Sequence, residues 1–216
     1  MGTESLMDPS SPIEAGSATP LAAVAQAFEE LAGQLDSCDG DLGLAPFSAA
    51  CSLVSVLFDC LGFAFKFAEM EYVAKVTDLT EASKEYDTLN KILDHDLELD
   101  TVRKQGSHSR SLRRVRLGLD LIRVFFEQFL LSSECSLKEV ASNAYGQVCA
   151  PFHAWTIRTA VAAGMYTLPT REQLLVKLNE TDQSVEKEMQ RYIDACSPII
   201  QYIDNLFLSR DIALDW

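Results

Sequence analysis

After Pro20 the apolar residues recur at three- and four-residue steps along almost the whole chain, the spacing that lines one face of an α-helix. Leu21, Val24, Ala25, Phe28, Leu31 and Leu35 set the first such face. Pro20 falls in its first turn, where the missing N–H has no intrahelical partner to lose. The same periodicity predicts helices over about 46–76, 80–99, 108–131, 137–146, 148–165, 170–179 and 181–208. Breaks fall at Gly40, Gly106, Ser132-Ser133 and Leu168-Pro169-Thr170, where Thr170 is placed to cap the helix that includes Glu172. No run alternates like a half-buried strand, and no fixed-period repeat is visible. The pattern predicts an all-α protein of about eight helices. Residues 1–19 hold Pro9, Pro12 and a cluster of Ser and Thr with little to bury, and read as a disordered leader; residues 20–216 read as one domain.

Composition narrows the class. With 216 residues, 48% of them apolar, the chain can fill a core, which excludes a disordered protein or a disulfide miniprotein. Its 32 acids against 18 cations give a formal charge of −14, which disfavours nucleic-acid binding by bulk electrostatics. Cys38, Cys51, Cys60, Cys135, Cys149 and Cys196 form no C-x-x-C pair and no secretory signal opens the chain, so a reduced, cytoplasmic setting is expected. Met1-Gly2 fails as a myristoylation start because Leu6 occupies the position that needs Ser or Thr. Phe47 to Phe65 is nearly continuous apolar, but it contains Asp59 and three serines, and an Asp at mid-membrane costs roughly 2.5–3.5 kcal/mol. A buried central helix is the better reading of that run.

The cations are unevenly placed. Arg103, Lys104, Arg110, Arg113, Arg114, Arg116 and Arg123 share a 21-residue window with one acid, Asp120, for a local charge of +6; the rest of the chain carries −20. Such asymmetry asks for an anionic partner. On a helical wheel, Arg113, Arg116 and Arg123 fall with Asp120 and Glu127 on one polar stripe, expected to face solvent. Arg110 and Arg114 fall instead among Leu117, Leu121, Val124 and Phe125. Two arginines on an apolar face need an anion, either a carboxylate or a phosphate that suits the guanidinium fork. The plainer alternative leaves Arg110 fraying into water in the first turn and Arg114 paired internally. Glu71 and Lys75, spaced i, i+4, read by spacing as an ordinary helix ion pair. The histidines make no metal or catalytic set: His95 lies in Asp94-His95-Asp96, which looks like a solvated acidic face, His108 opens the basic helix, and His153 has apolar neighbours.

In order, Glu71-x-x-x-Lys75, Gly106-Ser107-His108-Ser109-Arg110-x-x-x-Arg114-Val115-x-x-Gly118-Leu119 and His153-Ala154-Trp155 resemble the glycolipid transfer protein superfamily. Gly164-Met165-Tyr166-Thr167-Leu168-Pro169-Thr170-Arg171 and Asp204-Asn205-Leu206-Phe207-Leu208-Ser209 extend the likeness from about residue 20 to Trp216. Within the superfamily it is similar to the phosphate-binding branch of plant accelerated-cell-death and ceramide-1-phosphate transfer proteins. The resemblance implies a two-layer helical sandwich enclosing one sphingolipid, a non-enzymatic carrier of ceramide-1-phosphate between membranes, and no cofactor or metal. It implies that Lys75, Arg110 and Arg114 hold the phosphate, Glu71 the amide nitrogen and His153 the amide oxygen. Glycolipid-binding members have a tryptophan at the position of Arg114, and the family's usual acid is Asp where this chain has Glu71.

Phe58, Phe63, Phe125, Phe126, Phe129, Val148, Phe152 and Ile157 are candidate chain-lining residues, with ordinary core packing the plainer reading of any single one. Trp155 and Arg113, with Arg116 and Arg123, are candidate membrane contacts, implying transient peripheral association. The absence of a heptad seam suggests a monomer. A lipid sensor or scaffold using the same pocket, an enzyme with His153 as base, and a helical adaptor for an acidic protein are the other classes. No nucleophile or metal set supports the enzyme.

Overall fold

The computed structural model describes residues 18–37, 41–62, 65–131 and 135–216. Most of the expected leader, together with Cys38, Gly40, Phe63 and Ser132-Ser133, lies outside the described residues. Ten α-helices appear among those described: α1 (Pro20–Ser37), α2 (Leu44–Leu53), α3 (Ser55–Cys60), α4 (Lys66–Ala82), α5 (Leu89–Glu98), α6 (His108–Leu131), α7 (Leu137–Val148), α8 (Trp155–Gly164), α9 (Arg171–Leu178) and α10 (Asp182–Leu208). Two single 3-10 turns, Ala150–Phe152 and Met165–Thr167, flank α8. There is no β-strand among the described residues, and the chain forms the two-layer all-α sandwich. No described helix is long and apolar enough to cross a membrane.

Three expected helices divide. The 46–76 stretch breaks into α2, α3 and α4: the chain turns at Val54 between α2 and α3, and Gly62 between α3 and α4 adopts φ 92°, a conformation open to glycine and closed to a helix. The 80–99 stretch divides between the end of α4, which runs on to Ala82, and α5, begun by Thr88, whose side chain accepts from the Lys91 amide. The 148–165 stretch is interrupted by Pro151, and His153 and Ala154 are extended before α8 begins at Trp155. Thr170 caps α9 as read, closing a capping box with Gln173, and Ser136 and Glu139, not singled out in the sequence, close another on α7.

The long α6 is the hub, packed by α4, α5, α7 and α10, while α1 and α2 complete the enclosure around one apolar core. Asp96, expected on a solvated acidic face, is buried at 4% exposure. Its Oδ2 accepts from the Ser109 amide at 2.7 Å and its Oδ1 from the Thr101 hydroxyl at 3.0 Å. A carboxylate thus satisfies an orphan donor at the positive end of α6, helped by Ser107, whose Oγ accepts from the Arg110 amide. Asp96→Ala is expected to cost about 1–3 kcal/mol, lowering the melting temperature by roughly 2–4 °C per kcal/mol in a thermal scan. An unchanged melting temperature would remove Asp96 from this role.

Candidate headgroup site

The site begins where α4 and α6 cross. Gly118 faces the Tyr72 ring so closely that an added Cβ would lie 2.6 Å from it. The Tyr72 hydroxyl donates to the Cys51 carbonyl at 3.0 Å, tying the same crossing to α2. Asp78 Oδ2 and His108 Nδ1, 3.0 Å apart, clamp α4 to the start of α6. With the two helices so registered, Glu71 of α4 and Arg110 of α6 come close enough for their charges to act on Arg114, and Lys75 lies one turn after Glu71 on α4. The Pro151 interruption then swings His153 out of helical geometry and into the same group.

Arg114 is the centre. Burial, and then the neighbouring Arg110, push its pKa below the ordinary guanidinium value, while Cys149 and Glu71 oppose that shift. Burial and the Arg114 charge likewise hold the His153 imidazole below the usual histidine range. The Arg110 guanidinium donates to the Arg103 carbonyl at 2.8 Å. Among the described residues, Glu71 and Lys75 form neither an ion pair with each other nor another side-chain hydrogen bond, so the ordinary helix pair read from their spacing is not made. The surroundings of Arg114 therefore offer donors on Arg110, Arg114 and His153 and one acidic acceptor, Glu71. That set, with two guanidiniums against one acid, suits an anion. No described cluster of His, Cys, Asp and Glu has a metal-holding arrangement.

The expected outer cationic stripe is corrected. Arg113 is 3% exposed, donates to the Leu214 carbonyl at 2.8 Å and sits over the Phe152 ring. Burial lowers its pKa to about 10. It is therefore not placed to touch a membrane. Arg116 donates to Asp204 at 2.8 Å and to Asp120 at 2.6 Å, and Arg123 donates to Asp120. The wheel assigned the polar stripe to water, but on a helix surrounded by others that stripe faces α10 and its carboxylate. Trp155, by contrast, is 69% exposed at the head of α8, two residues from His153.

Of the candidate lining residues, Phe58 and Phe125 border an apolar void of about 10 Å³, with Leu121, Tyr145 and Met165. Phe126, Phe129 and Val148 are buried in the core without reaching the void, and Phe152 is half-buried. Ile157 is 46% exposed, because α8 presents no buried residue, and so it does not line the interior. Sequence reading missed Tyr145, whose hydroxyl lies 2.8 Å from His153 Nδ1. The available signal was a lone tyrosine one turn before Cys149 on the inner face of α7, among Ala141, Ala144 and Val148.

A family profile described as Glycolipid transfer protein (GLTP) matches residues 42–180. The chain is 63% identical over 204 residues to the Arabidopsis thaliana ACD11 homolog protein, covering 92% of this chain and 89% of that one. It is 33% identical over 173 residues to a ceramide-1-phosphate transfer protein of Danio rerio, covering 74% and 82%. Among solved structures it is similar, at 50% identity and TM-score 0.89, to a point mutant of Arabidopsis ACD11 complexed with C12 ceramide-1-phosphate, covering 94% of this chain and all of that one.

Proposed function

Because this chain belongs to the glycolipid transfer protein family, we propose that it carries ceramide-1-phosphate-type sphingolipids between membranes without altering them. The observation that carries this reading is the half-buried Arg114, crowded by Arg110 and moderated by Glu71, at the edge of a core that already contains an apolar void. A phosphate there supplies the charge that two neighbouring guanidiniums lack. The bound lipid of the ACD11 relative supports the same choice of ligand.

In this reading Lys75, Arg110 and Arg114 hold the phosphate. Glu71 accepts from the ceramide amide N–H, and the imidazole of His153 donates to the amide carbonyl. The extra methylene of Glu71 relative to Asp places its carboxylate farther from the α4 backbone, and the lipid amide shifts to meet it. Each buried chain methylene contributes roughly 0.8 kcal/mol, so a shielded interior removes the main barrier to crossing water. A void of about 10 Å³ is too small for an acyl chain, so the helical layers part around Phe58 and Phe125 as the chains enter. Trp155 touches the membrane interface transiently, and the protein works as a cytoplasmic monomer through its domain from residue 20 to 216, with no cofactor.

The test is intervesicular transfer of fluorescent ceramide-1-phosphate against galactosylceramide, in the same vesicles with one protein stock. Fast transfer of the phosphate lipid alone is expected. Transfer of both lipids would overturn the phosphate selectivity. Tight binding without transfer would replace the carrier by a lipid sensor, and binding of neither lipid would sink the reading altogether.

A further inference from the structure

A histidine offered to a ligand has two faces, and what it does with one is set by what occupies the other. His153 has its Nδ1 facing the Tyr145 hydroxyl at 2.8 Å. A neutral imidazole has one N–H donor and one bare acceptor nitrogen. A phenol is a good donor and a poor acceptor, whereas the bare imidazole nitrogen is a good acceptor. The pairing that uses both groups well has the Tyr145 O–H donating to Nδ1, which leaves the proton on Nε2.

We propose that Tyr145 is a positioning residue that locks His153 in the Nε2–H tautomer, making it an obligatory donor to the carbonyl of an amide-linked lipid. The inference rests on the functional reading above and adds to it how the amide end is recognised. Two further features fit. Burial raises the Tyr145 pKa and burial with Arg114 lowers that of His153, so the phenol keeps its proton and the imidazole stays neutral near pH 7. The Tyr145 ring also borders the apolar void, so one side chain joins the chain-holding interior to the headgroup histidine. Chain occupancy and amide recognition thus share a rigid link.

The charged and titratable groups around His153 all bear on the test. Arg114 approaches from α6 and carries its own neighbours Arg110, Glu71 of α4 and Cys149 just past the end of α7; Tyr145 comes from α7 with Arg158 of α8 acting on it, and Arg113 lies against the adjacent Phe152. Cys149 is pushed up to about 12 by burial and stays a neutral thiol. Lowering pH therefore charges the imidazole with the surrounding cations and the thiol unchanged.

Tyr145→Phe keeps the ring and removes only the hydroxyl. Nitrogen-15 NMR of the lipid-free protein is expected to show neutral His153 as the Nε2–H tautomer in the parent and as a mixture in the variant. Ceramide-1-phosphate binding to the variant should weaken by roughly two- to tenfold near neutral pH, the loss of one hydrogen bond's net contribution. Below the imidazole's own titration midpoint, located by the same NMR, both ring nitrogens are protonated and the Nε2 donor no longer depends on Tyr145. The variant-to-parent affinity ratio should then return toward one. Protonation of the lipid phosphate affects both proteins alike and leaves that ratio untouched. An unchanged tautomer in Tyr145→Phe, or a deficit that persists at low pH, would overturn the proposal. A parent that shows the tautomer but binds no ceramide-1-phosphate would overturn the functional reading while leaving the Tyr145–His153 device standing.

Discussion

Arg114→Leu abolishes transfer of a phosphosphingolipid and leaves the helical fold in place. Each charge-assisted hydrogen bond from a guanidinium to phosphate contributes about 1.5–3 kcal/mol, so losing one arm lowers affinity by roughly tenfold to a hundredfold or more and losing both by roughly a hundredfold to ten-thousandfold or more. Stability should not follow. Arg114 is partly buried, its charge is disfavoured by burial and by Arg110, and among the described residues it has no hydrogen-bonded acid to leave stranded. Leu, shorter and apolar, removes the charge that burial and Arg110 disfavour. Far-ultraviolet circular dichroism and the melting temperature should stay at the parental values or rise slightly. Vesicle-to-vesicle transfer at the parental rate would show that the phosphate is held elsewhere. A collapsed melting temperature would mean that Arg114 is a structural residue.

The second large effect belongs to a residue that touches no ligand. Gly118→Ala puts a methyl carbon 2.6 Å from the Tyr72 ring, inside van der Waals contact. Tyr72 cannot swing away freely, since its hydroxyl is held by the Cys51 carbonyl and its ring stacks on Phe58 at a centroid distance of 5.2 Å. The strain therefore passes to the helices, and α4 separates from α6. Overpacking of this kind costs about 1–3 kcal/mol. At roughly 2–4 °C per kcal/mol for a chain of this size, the melting temperature falls by several degrees. Glu71 and Lys75 move with α4 while Arg110 and Arg114 stay on α6, so transfer drops by more than the loss of folded protein explains. Adding Tyr72→Leu to Gly118→Ala opens room for the methyl and should recover part of the melting temperature. Failure of that second change to recover any stability would show that the close approach is not what Gly118 is for.

Much of the architecture was legible because helical periodicity is a local property. The faces of α1, α6 and α10 and the Thr170 cap follow from residues within a turn or two of one another. The errors in the helices also have local causes, read too weakly: Gly62, Thr88 and Pro151 each break a stretch that periodicity alone would have continued. Arg110 and Arg114 were separable from the other arginines because they fall on an apolar helix face. Their phosphate role came only with the family resemblance, since spacing left a frayed or internally paired alternative open.

The sequence by itself determined that this is an acidic all-helical protein with one concentrated cationic helix and no motif for bond-breaking chemistry. Only the tertiary structure decided which of those cations are free for a ligand. Helical phase states which side chains share a face, but not what lies opposite that face. Arg113 and Arg116 look solvent-facing on a wheel, yet α10 and the 212–216 segment supply Asp204 and the Leu214 carbonyl as their partners. Asp96 looks solvated in sequence, yet the start of α6 folds over it. Tyr145 was not singled out in the sequence, yet the chain turns at Pro151 and brings His153 to its hydroxyl. Each of these outcomes depends on a contact between segments distant in sequence or separated by a turn, where charge and hydrogen-bond complementarity settle the partner and periodicity is silent.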